Sequence, residues 1–79
     1  LTALEASLRA TLRFDVTPRA QALAEFGELA GPLVRTPEYL VPTGLHPDLN
    51  EAMRRCVRAA LTLLEARYGM AEHLAYAYL

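Results

Sequence analysis

An α+β unit is predicted by three features of the 79-residue sequence. Residues 47–68 carry an unbroken helical stripe, residues 4–16 alternate strictly between apolar and polar, and glycine or proline punctuates everything between. The stripe comprises Leu49, Ala52, Met53, Cys56, Val57, Ala60, Leu61, Leu64 and Tyr68, at the i, i+3, i+4, i+7 spacing of one helix face. A second row, Ala59, Leu63 and Ala66, widens it beyond what one neighbour covers. Together these features predict a long strand belonging to a larger sheet, followed by a long C-terminal helix and a helical hairpin. The whole chain, 1–79, reads as one α+β region.

The helix has signals at both ends. Asp48 is placed to cap the first turn, Glu51 stands three residues on in the capping-box position, and Gly69 offers a left-handed stop. The strand is equally regular. Leu4, Ala6, Leu8, Ala10, Leu12, Phe14 and Val16 are apolar, and the intervening residues from Glu5 to Asp15 are polar or small. No Asn-Gly or similar turn follows it, so its partners in a sheet are expected from outside these residues.

Thr17-Pro18 breaks the strand. Arg19 to Ala30 holds helix formers, with Thr17 as the expected cap, Pro18 at the first helical position, Gly27 inside the helix and Gly31-Pro32 as the stop. Leu33 to Arg35 and Tyr39 to Val41, interrupted by Pro37 and Pro42, suit extended edge segments. Thr43 to Pro47 then forms a tight loop into the long helix. Beyond Gly69, Met70, Leu74, Ala75 and Tyr78 share a face and predict a second arm of an αα-hairpin.

Composition narrows the function classes. Eight basic against nine acidic residues leave a net charge of −1, which is no footprint for nucleic acid or an anionic membrane. One cysteine makes no internal disulfide, and no apolar run reaches the ~18 residues of a spanning helix. A cytoplasmic protein is the expectation. The sequence opens at Leu1 inside the alternating pattern and stops at Leu79 inside a helical one, which suggests a piece of a longer protein.

Chemistry-bearing residues are sparse. His46 and His73 lack the spacing of a helical metal pair, and Cys56 sits among Val57, Ala60 and Leu61 as a small core residue. Arg54, Arg55 and Arg58 form a solvated or interface face, with Glu51 in ion-pairing reach of Arg55. Tyr76 and Tyr78 are expected to pack with their hydroxyl ends in water. The loop Thr43-Gly44-Leu45-His46 leads into a helix N-terminus, where backbone N–H groups favour an anion. Thr43, Gly44 and His46 are therefore the candidate substrate-binding residues. The alternative is purely structural: Thr43 and Asp48 turn and cap the chain, with Gly44 at positive φ.

The order of these motifs resembles a known family. The strand Ala3 to Phe14 is followed by Arg35-Thr36-Pro37-Glu38-Tyr39-Leu40-Val41-Pro42-Thr43-Gly44, then Leu45-His46-Pro47-Asp48-Leu49-Asn50-Glu51-Ala52. Tyr68-Gly69-Met70 and Ala75-Tyr76-Ala77-Tyr78-Leu79 complete the series. It resembles the C-terminal part of the acetamidase/formamidase family, where a strand leads to T-G-x-x-x-D-L-x-x-A, a long helix, a glycine corner and an A-Y-x-x-L helix. The resemblance spans the chain except Thr17 to Leu33. It implies the C-terminal scaffold of a mainly β, homo-oligomeric enzyme that hydrolyses formamide or acetamide to a carboxylate and ammonia. It also implies that the catalytic residues, and any divalent metal, belong to an upstream acidic and histidine-containing segment. The implied partners are then the rest of the same polypeptide and a small amide. The other reading of the residues themselves is a non-enzymatic helical interaction or dimerisation module, built on the wide stripe from Leu49 to Tyr68.

Overall fold

The long helix forms where its end signals put it. In a computed structural model describing residues 5–79, α2 runs from Leu49 to Tyr68, a rod of ~30 Å at 1.5 Å per residue. The Asp48 carboxylate accepts a hydrogen bond from the Glu51 amide at 3.1 Å, which satisfies one of the free N–H groups of the first turn. The expected reciprocal bond of a capping box is replaced. The Asp48 amide donates instead to His46 Nδ1 at 3.0 Å, and the Glu51 side chain turns to the arginines. Gly69, at φ 61°, ends the helix in the left-handed conformation and donates its N–H to the Glu65 carbonyl at 2.8 Å.

Everything else is arranged on α2. Helix α1 spans Arg19–Phe26, shorter than the sequence suggests, because Gly27 at φ 76° stops it before Gly31-Pro32. Pro18 occupies the cap position and no side chain caps the helix, so Thr17 does not have its expected role. Gly27 also lies close against Thr62 and Ala66 of α2, where a Cβ would meet their side chains at 2.9 and 3.1 Å. That contact joins the end of α1 to the middle of α2.

The two edge segments find each other. Strands β1 (Leu33–Arg35) and β2 (Leu40–Pro42) pair antiparallel, with Leu33 opposite Pro42, Val34 opposite Val41 and Arg35 opposite Leu40. The turn between them contains no glycine. Pro37 presets its own φ, and the Thr36 hydroxyl accepts from the Glu38 and Tyr39 amides at 3.3 and 2.9 Å. The hairpin reaches α2 through β2, where the Cys56 thiol donates to the Pro42 carbonyl at 3.4 Å. Helix α3, Glu72–Tyr78, folds back on α2 beyond Gly69, as the αα-hairpin reading predicts.

Burial corrects two expectations. Leu63 of the second row is buried on α2 together with Ala60 of the main stripe, while Leu49, Met53 and Tyr68 towards the ends of the main stripe are exposed. On α3 only Ala75 is buried, and Leu74, Tyr76 and Tyr78 face outward. At Ala52 and Cys56 the α2 surface lets the Gly44 backbone approach closely.

The alternating segment is the largest departure. Residues 5–16 form no strand and every one of them is exposed; the first four positions, including Leu4 of the expected strand, lie outside the described residues. A strand needs a ladder partner, and none of the described elements supplies one.

Candidate functional site

Two clefts flank α2. The smaller, of about 430 Å³, is bounded by Thr43, Gly44 and Leu45 on one side and by Arg55, Arg58 and Glu28 on the other. Two of the three candidate residues from the loop therefore line a cavity, while His46 is not among its walls. Each of the three is also bound into the fold. The Thr43 hydroxyl donates to the Pro32 carbonyl at 2.5 Å, tying the loop to the chain entering β1. Gly44 presses its backbone against α2 at Ala52 and Cys56, leaving no room for a Cβ. Its φ is not positive, so close approach rather than a left-handed turn is what requires glycine here. His46 Nδ1 accepts the Asp48 amide, which fixes the ring at the entrance to α2.

The arginines beside this cleft converge on one carboxylate. Arg55 Nε lies 3.3 Å from Glu51, Arg58 3.6 Å and Arg54 3.7 Å. The hydrogen bond from Arg55, with the positive field of Arg58 and Arg54, holds the Glu51 carboxyl below its ordinary value. Arg55 also donates to the Leu45 carbonyl at 3.2 Å, so the same side chain braces the loop. Two of these guanidinium groups, Arg55 and Arg58, line the cleft beside Glu28, which pairs with Arg19 at 3.1 Å.

The larger cleft, of about 830 Å³, opens between the hairpin turn and the α2–α3 corner. Glu25 of α1 pairs with Arg35 at 2.6 Å and Arg67 at 3.7 Å, and both guanidinium groups lie over the Phe26 ring, 5.0 and 5.8 Å from its centre. Tyr39, Tyr68 and Tyr78 line its remaining walls. This cluster joins residues from α1, β1 and α2. No local spacing announces it, since Glu25 and Arg67 meet only once the elements pack.

Neither cleft holds the parts of an acyl-transfer centre. Amide hydrolysis needs an activated nucleophile or water and donors aimed at the developing oxyanion. The Cys56 thiol is committed to the Pro42 carbonyl, and the Glu51 amide at the α2 N-terminus is taken by Asp48. Among the described residues no three His, Cys, Asp or Glu side chains gather where they could ligate a metal, and no helix is long and apolar enough to cross a membrane. Compared with known proteins, the chain matches no family model, no curated protein and no solved structure.

Proposed function

We propose that this chain is an assembly module, a small α+β unit whose apolar surface is completed by another protein surface. One observation carries the proposal. The chain exposes 7166 Å², whereas a compact monomer of 8.7 kDa exposes about 4,700 Å² by the usual mass scaling. Large apolar side chains share in it: Leu8, Leu12, Phe14, Val16, Leu49 and Met53 all stand out in solvent. A surface of that kind is a hallmark of protein–protein contact. The test is binding of an environment-sensitive apolar dye by the isolated chain, together with its sedimentation. Strong dye binding or self-association is expected; a monomer that binds no dye removes the reading.

A second reading is favoured by the cleft at Thr43 and Gly44. In it the chain is the C-terminal scaffold of a cytoplasmic, homo-oligomeric amidase for formamide or acetamide, with the reacting groups upstream. Arg55 and Arg58 would then face the anionic product and Thr43 and Gly44 would line the substrate side, with His46, outside the cleft walls, holding the loop at the entrance to α2. Ammonia release from formamide and acetamide by the longer protein containing this sequence tests it. Release from neither amide removes this second reading and leaves the first intact.

A further inference from the structure

We propose that residues 5–16 are an exchanged β-strand that adds to the free edge of β1 in a second copy of this chain, forming a two-fold dimer. This rests on the assembly reading and names its partner.

The segment is chemically a strand in want of a neighbour. Its apolar side chains recur at every second position, and Leu8, Phe14 and Val16 are 76%, 87% and 97% exposed. Its one internal side-chain contact fits the same geometry: Arg13 pairs with Asp15 at 3.1 Å, an i, i+2 pair on one side of an extended backbone.

The hairpin presents a matching edge. Bonded and non-bonded pairs alternate along an antiparallel ladder. The Thr36 amide donates to the Tyr39 carbonyl, so in this register Val34 and Val41 form the next bonded pair. The N–H and C=O groups of Leu33 and Arg35 therefore turn away from β2. Among the described elements β2 alone lies beside β1. The opposite edge is blunted, because Pro42 has no N–H and its carbonyl accepts from Cys56. Both hairpin faces are largely apolar as well: Leu33, Leu40 and Pro42 are half-buried on one beside Arg35, and Val34 and Val41 stand 47% and 42% exposed on the other.

A second copy supplies a partner for both elements. Each chain offers one unpaired extended segment and one free three-residue edge, so a reciprocal exchange pairs that edge with part of the segment in an isologous pair. The surface in excess of a compact monomer, about 2,400 Å² per chain, is of the size that obligate homodimers bury.

The experiment uses the intact chain. Sedimentation equilibrium should give twice 8.7 kDa, and Leu8→Asp with Leu12→Asp should return the mass to that of one chain while the helical circular dichroism persists. Those two leucines are exposed in a single copy, so their replacement tests pairing rather than folding. In dimers mixed from isotope-labelled and unlabelled chains, filtered NMR spectra should show contacts between residues 8–14 of one copy and Leu33 to Arg35 of the other. A dimer that lacks those contacts overturns the strand exchange and leaves the assembly reading standing. So does a monomer that binds the apolar dye, including one in which residues 5–16 pair with their own hairpin. A monomer that binds no dye overturns both.

Discussion

Gly44 and Glu51 show how single residues fix this molecule. Gly44 lets the loop backbone lie directly on α2 at Ala52 and Cys56. Gly44→Ala forces the loop or the helix to move, and is expected to cost about 1–3 kcal/mol, the usual range for overpacking. Urea titration measures it, and an unchanged midpoint would mean that the loop is free to lift away. Glu51 acts through charge. Its carboxyl is held below the ordinary value, first by the Arg55 hydrogen bond and then by the fields of Arg58 and Arg54. A depressed carboxylate stabilises the fold fully above its unfolded value, and the contribution disappears as pH falls through the lowered folded value. The difference in urea midpoint between the wild-type chain and Glu51→Gln should therefore be present at neutral pH and vanish in acid. It should also shrink in high salt, because these groups meet at the surface. A difference that persists in acid would point to packing rather than charge.

At the level of elements, the helix stripe was legible and its rotation was not. Apolar residues cover so wide an arc of α2 that the sequence offers two candidate inner faces. The structure buries Leu63 and leaves Leu61 half-buried, with the end of α1 approaching α2 at Thr62 and Ala66 and the loop after β2 at Ala52 and Cys56. Leu63→Ala should cost about 2–5 kcal/mol, as for a leucine truncated in a packed core, with Leu61→Ala costing clearly less. Equal losses at the two positions would show that α2 is rotated, or that another surface covers Leu61. The β1–β2 hairpin was only half-legible. Its strands read as extended segments, but a Thr36-Pro37 turn without glycine hides the fact that they pair.

For the whole molecule, the radius of gyration of 14.8 Å exceeds the roughly 12 Å of a compact domain of this length. Residues 5–16 and the outward row of α2 account for much exposed apolar surface. If a second copy covers it, folding and association are linked, and the melting temperature should rise as protein concentration rises. A melting temperature constant over a hundredfold concentration range would argue that the single chain is the stable unit.

What the sequence determined alone is whatever depends on near neighbours. Asp48 and Gly69 bound α2 because capping is decided within a few residues of backbone, and the glycine corner gives the α2–α3 hairpin for the same reason. Only the tertiary structure decided that Glu25 bridges Arg35 and Arg67 over Phe26, that Gly44 is needed for close approach, and that Leu63 rather than Leu61 faces inward. Each of these is a contact between elements distant in the chain. The alternation in residues 5–16 marks the boundary between the two kinds of information. A period of two says which side chains share a face, but a strand exists only when another backbone bonds to it, and that partner is not written in the segment itself.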